Sequence, residues 1–410
     1  MKKANARFLT EPFFAWLAWA IFLCAFQSMV VTRIAVRPVD RVLGWTAAET
    51  GKSAGELKAR LSVPVFAEHV AWDSEFYLSI AMEGYDDPAV RMAIGESKAF
   101  SLNYAFMPGY PAAIRLAMQP LLLIGVDARA AAAICALAVS LAGALLATMS
   151  LYSLAAPNEG RQTASRAAWF MLIFPSGFFL AQVYAEALFL GLALQSLALA
   201  RKERWFSFSI VASLAVLTRA SGVALVAACA VAIARVLISG KKNSVAPKPA
   251  ELLGMAEALL VPLAVFLAWK FSYLGQRFDY VERVFFSRAL DPIASIRTWA
   301  QAFQAALSGP NERIIYYLVE FASLALALAS TVWGARKYPE LAIFGLASVV
   351  IPLSSIAPQG LIRYVLSCPL IFIMTARWAS SKPAERAYTL FSALFMAYFA
   401  LLFSLDMWVG

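Results

Sequence analysis

Apolar runs recur along almost the whole 410-residue chain, at roughly 13–31, 128–154, 167–183, 186–200, 206–217, 222–238, 254–274, 313–333, 340–357, 364–379 and 387–404. A chain patterned this way folds in a lipid bilayer. Several runs are shorter than the ~20 residues of a perpendicular transmembrane helix, and short spans broken at Pro, Gly or a polar residue are common where helices line a cavity. The composition agrees: 61% of residues are hydrophobic and only 15% are charged, with a mean hydropathy of +0.70, whereas a soluble domain is about half apolar and a quarter charged. No stretch is polar enough to stand apart as a soluble domain. The chain therefore reads as one all-α polytopic membrane domain, residues 1–410.

Charge and the scarce residue types exclude several function classes. Lys and Arg number 35 against 25 acidic residues, a net charge of +10. In a membrane protein this excess reflects positively charged cytoplasmic loops and anionic lipid, so no nucleic-acid partner is inferred. Cys24, Cys135, Cys229 and Cys368 lie singly in apolar runs, so neither a zinc site nor a disulfide framework is indicated. His69 is the only histidine, which removes His-rich metal sites and His-relay triads. The run at 13–31 follows Lys2, Lys3 and Arg7 and has no clear small-residue cleavage site after it. It reads as a retained signal anchor.

Topology follows from parity. The stretch from Tyr110 to Val126 holds Pro111, Arg115 and Gln119. If it lies on the membrane surface, eleven spans remain and the basic clusters share one side. Those clusters are Lys2/Lys3/Arg7, Arg161/Arg166, Arg201/Lys202/Arg204, Lys241/Lys242/Lys248, Arg336/Lys337 and Lys382/Arg386. Short loops rich in Lys and Arg mark the cytoplasm, so the N-terminus is placed inside and the C-terminus outside. Two long outward segments result, about 32–127 and 275–312, rich enough in aromatics to fold onto the membrane as surface helices. Residues 239–253 read as a flexible cytoplasmic loop, and no internal repeat is evident.

Three clusters could carry chemistry. In Ala71-Trp72-Asp73-Ser74-Glu75-Phe76-Tyr77 the spacing predicts a helix starting near Asp73, with Phe76, Tyr77 and Ile80 on its apolar face and Gly84 as its stop. Asp73 is then either a helix cap or a general base in a partly apolar setting beside the membrane. Met107-Pro108-Gly109-Tyr110-Pro111, leading into Arg115, is a rigid turn or the start of a helix. Phe174-Pro175-Ser176-Gly177 runs on to Tyr184-Ala185-Glu186, which puts Glu186 at the outer end of a hairpin between two spans. Ionisable groups at membrane depth are functional by default. Arg219 in Leu217-Thr218-Arg219-Ala220-Ser221-Gly222 and Arg363 before Tyr364 sit at helix breaks on the same face. They either snorkel or bind a phosphate bidentately. His69 reads as structural or surface.

The blocks WDSEFYLSIAMEGY, YAFMPGYP, FPSGFFLAQVYAE, LTRASG and RYVLSCP resemble, in the same order, those of the PIG-V-type mannosyltransferases. The resemblance covers most of residues 69–370. It implies a GT-C fold and transfer of a hexose, mannose by family habit, from a polyprenyl- or dolichyl-phosphate sugar donor to a glycolipid or glycan hydroxyl. The eukaryotic members add the second mannose during GPI-anchor assembly. In GT-C enzymes an acidic residue of the first outward loop stands at the reaction centre, a role that maps onto Asp73. Trp72, Glu75, Tyr110, Arg115, Tyr184, Glu186, Arg219, Arg363 and Tyr364 are read as substrate-binding. The sequence departs from the family in having Ala71, not His, before the Trp-Asp pair, and Tyr184-Ala185-Glu186 where many members have Tyr-Ser-Glu. Its small loops are closer to bacterial relatives, which implies a bacterial inner membrane with the active site extracytoplasmic. One carboxylate suffices for such a reaction, since a lipid phosphate leaves without the acid that a glycosidase needs. No cofactor and no metal ligand set are read from the sequence. The competing readings are a secondary transporter, with its site at mid-membrane, and a polymerase or ligase of lipid-linked oligosaccharide.

Overall fold

The fold is that of a computed structural model and is described for residues 10–34, 40, 42–43, 46, 63–94, 97–242, 247–284, 291–309, 311–354 and 359–410. Lys2, Lys3 and Arg7 lie outside these, as do parts of both long outward segments. Helices dominate. The first half contains α1 (Thr10–Arg33), α2 (Ser74–Met82), α3 (Gly109–Leu123), α4 (Ala128–Glu159), α5 (Arg161–Leu172), α6 (Glu186–Arg201), α7 (Trp205–Thr218) and α8 (Ala224–Lys242). The second contains α9 (Pro249–Phe271), α10 (Tyr273–Val284), α11 (Pro292–Ser308), α12 (Asn311–Gly334), α13 (Pro339–Leu353), α14 (Leu361–Val365), α15 (Pro369–Trp378) and α16 (Lys382–Ser404). One short antiparallel hairpin, β1 (Arg91–Ile94) with β2 (Ser97–Ser101), was not anticipated by the all-α reading.

Among the described residues six helices are long and apolar enough to cross a membrane: α1, α4, Ala220–Gly240 (which includes most of α8), α9, α12 and α16. The protein is an integral membrane protein on this evidence. The other five apolar runs fold as shorter pieces. Run 167–183 breaks after α5 at Phe174-Pro175-Ser176 and resumes as a single 3-10 turn, Gly177–Ala181. Run 364–379 is divided between α14 and α15, with Pro369 opening the latter. A proline fits the first turn of a helix, where its missing N–H would be unpaired anyway. The stretch that decides the parity is α3, which buries Tyr110, Pro111, Ile114 and Met118 on one face and exposes Leu116 and Leu123.

Small residues set the tightest packing. Helix α4 is rich in buried alanine, and it meets α6 at Gly143 and Gly191. A Cβ on Gly191 would fall 2.5 Å from the Gly143 carbonyl oxygen, and one on Gly143 would fall 2.6 Å from the Ala187 backbone. The two backbones thus touch, as small residues permit between helices in a bilayer.

This contact fixes α6, whose two ends differ in chemistry. At its last residue, Arg201 Nε is 2.5 Å from Glu340 Oε1, and Arg235 Nη1 is 2.8 Å from Glu340 Oε2. Arg201 also donates to the Leu154 carbonyl. One turn further along α4, Lys337 donates to Asn158 and pairs with Glu159 at 2.8 Å. Arg166 donates to the Ala376 carbonyl and pairs with Glu385 at 3.1 Å. Members of three clusters that the sequence places on one side of the membrane, Arg166, Arg201 and Lys337, therefore gather at one end of the bundle. Glu186 starts the same helix about 22 Å away, at 1.5 Å per residue.

Gly191→Val should disrupt this contact, because backbone cannot yield as a side chain can; overpacking commonly costs about 1–3 kcal/mol. The expected result is a clearly lowered thermal midpoint of the detergent-purified protein. A wild-type midpoint would contradict backbone contact between α4 and α6.

Candidate active site

At the Glu186 end of α6, four charged side chains from distant parts of the chain form one array. Asp73 precedes α2, Glu186 opens α6, Arg219 joins α7 to the turn before α8, and Arg363 lies in α14. Arg363 Nη1 is 2.8 Å from Asp73 Oδ2 and 3.7 Å from Glu186 Oε1. Arg219 Nη1 is 2.5 Å from the same Glu186 oxygen. Glu186 and Arg363 side chains are each 5% exposed, Arg219 is 18% and Asp73 27%. Two guanidinium groups thus face two carboxylates, which is the balance that allows ions to be buried. Burial works against the charge of both arginines. The facing carboxylates outweigh it and raise their pKa values, Glu186 for Arg219 and Asp73 then Glu186 for Arg363.

Local backbone explains why these positions meet. Arg219 is extended (φ −149°, ψ 140°) and ends α7, so its side chain turns inward where a helical residue could not. Gly360 opens α14 in the left-handed region (φ 72°), which suits glycine. Glu186 stands in the first turn of α6, where the helix dipole favours an anion. Aromatic faces complete the surround: Arg363 lies over Phe179 and Tyr184, both at 5.4 Å, and Arg219 over Tyr364 at 4.8 Å.

Asp73 is held by its neighbours. Its backbone N–H donates to the Tyr184 hydroxyl at 3.2 Å, and that hydroxyl donates to the Ala71 carbonyl at 3.2 Å. Trp72 between them is left-handed (φ 54°), a strained conformation for a residue with a Cβ, costing on the order of 1–3 kcal/mol. His69 is fully buried, and its Nδ1 donates to the Ala181 carbonyl at 2.8 Å. Burial lowers its pKa against the opposing influence of Glu68, so it is a neutral strut. The Val183 N–H donates back to the His69 carbonyl. Segment 66–73 is thereby pinned to segment 177–184.

The structure brings together Asp73, Tyr184, Glu186, Arg219, Arg363 and Tyr364 from the sequence-derived set. As a cap, Asp73 fails: its backbone is helical and its side chain makes no capping bond. Helix α2 otherwise follows the sequence reading, with Gly84 at φ 92° closing it. Pro108-Gly109-Tyr110-Pro111 starts helix α3. Tyr110 is wholly buried, its hydroxyl bonded to Ala136 and Ser140, and its ring meets Tyr77, which in turn meets Tyr184. Arg115 is exposed on α3 and reaches the Met82 carbonyl at 3.5 Å, apart from the array. Glu75 is half-buried in the first turn of α2. Among the described residues no group of three His, Cys, Asp or Glu side chains could hold a metal ion. The sequence reading missed Glu320, which is 2% exposed and accepts the Ile362 N–H at 2.9 Å. An ionisable residue inside run 313–333 was the available signal.

Glu186→Gln would remove the carboxylate that pairs with Arg219 and lies 3.7 Å from Arg363. Breaking a buried pair from one side costs about 3–5 kcal/mol, so the thermal midpoint should fall sharply. Glu186→Gln/Arg219→Gln should recover part of that loss, since the two residues share one interaction. Strictly additive losses would contradict the coupling.

Residues 16–274 match the family described as Mannosyltransferase (PIG-V). No curated protein matches the sequence. Among solved structures the chain is similar to the oligosaccharyltransferase of Archaeoglobus fulgidus. Against the apo form the TM-score is 0.46 at 12% identity, covering 96% of this chain and 56% of that one. Against the form tethered to an acceptor peptide it is 0.43 at 14%, covering 96% and 55%. Against the complex with an inhibitory peptide and a dolichol-phosphate it is 0.44 at 12%, covering 96% and 56%. The chain thus spans about half the length of these structures, and likeness of that degree establishes neither fold nor chemistry. The match over residues 16–274 includes Asp73, Tyr184, Glu186 and Arg219 and covers well over half of the sequence, and on it the chain belongs to the Mannosyltransferase (PIG-V) family.

Proposed function

We propose that this protein is an inverting membrane glycosyltransferase of GT-C architecture with eleven spans. It moves a hexose, mannose by family, from a polyprenyl- or dolichyl-phosphate donor to a hydroxyl of a lipid- or glycan-linked acceptor. The reaction takes place on the non-cytoplasmic face, in a bacterial inner membrane. The observation that carries this reading is the array of Asp73, Arg363, Glu186 and Arg219.

Its members divide the work by exposure. Asp73 is the most exposed of the four side chains, the one best placed for an incoming acceptor. Glu186 is too enclosed for that task and balances the two arginines. Arg363 Nε and Glu186 Oε2 are buried without a hydrogen-bond partner among the described residues, a donor and an acceptor suited to a phosphate oxygen and a sugar hydroxyl. As the bond from the anomeric carbon to the phosphate oxygen breaks, the phosphate gains one negative charge. As the acceptor oxygen bonds to that carbon, its proton passes to Asp73, which loses one. The array goes from neutral to one positive charge while the leaving group becomes more negative. Fixed guanidinium groups in a site shielded from water stabilise that change strongly. The leaving phosphate needs no acid, so one accessible carboxylate is enough.

The test uses membranes carrying the protein and labelled polyprenyl-phosphate mannose. Wild type should transfer label to membrane lipid or glycan. Asp73→Asn keeps an oxygen for Arg363 but cannot take the proton, so transfer should fall by about 100- to 10,000-fold with insertion unchanged. Activity within a few-fold of wild type would remove Asp73 from the reaction. Solute flux in proteoliposomes without any glycosylated product would favour a transporter.

A further inference from the structure

The Asp73–Arg363 pair joins two parts of the chain that backbone alone does not hold together. One side is the strained Trp72-Asp73 step, and the other is α14, only five residues long. A third segment reaches both. The chain leaves α16 through Asp406, which is left-handed (φ 65°), with the Met407 N–H on the Leu402 carbonyl at 2.9 Å. This is a helix-closing turn, and it sends residues 407–410 back toward the array.

Trp408 is the product of that turn. Its ring meets Trp72 edge to face, with centroids 5.3 Å apart and planes at 89°. Its Nε1 donates to the Tyr316 hydroxyl at 3.3 Å, and the same oxygen accepts the Gly360 N–H at 3.1 Å. Its backbone N–H donates to Asp40 Oδ2 at 2.7 Å, and Asp40 is buried. Gly360 is the residue that opens α14, whose Ile362 N–H is taken by Glu320. Trp408 therefore touches the residue before the base on one side. On the other it touches the tyrosine that holds the start of the arginine's helix.

We infer that Trp408 is a positioning residue that sets the Asp73–Arg363 geometry, with Tyr316 as its link to α14; this rests on the glycosyl-transfer reading above. Neither residue lies in the matched region 16–274, and no motif in the sequence points to either. An ion pair at 2.8 Å between a loop and a single short helix has no tolerance for independent drift of its two supports. A shift of about 1 Å at a reacting group can cost on the order of 100-fold.

The experiment measures transfer from labelled polyprenyl-phosphate mannose in membranes, together with thermal midpoints. Trp408→Ala should lower transfer on the order of 100-fold with a midpoint near that of wild type. Trp408→Phe keeps the ring contact with Trp72 and loses only the bond to Tyr316, so it should recover part of the activity. Tyr316→Phe deletes the shared oxygen, and adding Trp408→Phe to it should make nothing worse. In an Arg363→Lys background, where the fork is already lost, the Trp408→Ala effect should shrink to a few-fold. A loss that tracks the midpoint, that Phe does not rescue, or that multiplies fully with Arg363→Lys would overturn the positioning role. Absence of transfer by wild type would overturn the underlying reading and this inference with it.

Discussion

Everything at the Glu186 end of this bundle depends on burying two arginines beside two carboxylates. Taking an ion out of water costs several kcal/mol even after relaxation, so none of the four could stand there alone. Glu186 is the hinge of the arrangement, because one of its oxygens faces both guanidinium groups. The irregular backbone of the chain serves this meeting. The extended Arg219, the left-handed Trp72 and Gly360, and the break at Phe174-Pro175-Ser176 each interrupt a helix or loop where a regular one would point the side chain elsewhere. Such breaks are tolerable inside a membrane protein only where other groups satisfy the freed backbone. Here Tyr184, Tyr316 and Glu320 do so for Asp73, Gly360 and Ile362.

Much of this was legible in the sequence. Apolar runs gave the helices, since burial in lipid and the 3.6-residue period leave few alternatives, and Gly84 and Pro108-Gly109 marked real helix boundaries. Glu186, Arg219 and Arg363 stood out because charge inside apolar sequence is costly unless paired. What the sequence could not disclose was the pairing itself. A lone Arg363 is equally an arginine that snorkels and one that meets a carboxylate, and only tertiary contact decides. The same holds for Tyr110, whose burial follows from packing against α4, and for Arg115, which α3 carries to an exposed face. Trp408 left no trace because a single tryptophan after an apolar run has no periodicity to read.

The second charged cluster clarifies the first. Glu340 with Arg201 and Arg235, and Glu159 with Lys337, tie helix ends together at the far end of α6. That end is rich in cations from loops that the charge bias assigns to one side, and its arginines and lysines answer carboxylates already in place. Two arginine-bearing ends about 22 Å apart thus offer two places where a lipid phosphate could be held, and the proposed chemistry requires only one of them.

The most direct test of the central claim is equilibrium binding of polyprenyl phosphate, the proposed leaving group, to the purified protein. If the array is the donor-phosphate site, Arg219→Ala/Arg363→Ala should abolish saturable binding while Arg201→Ala/Arg235→Ala leaves it intact. Loss of binding in the second variant, with binding retained in the first, would contradict the account and move the phosphate to the other end of the bundle.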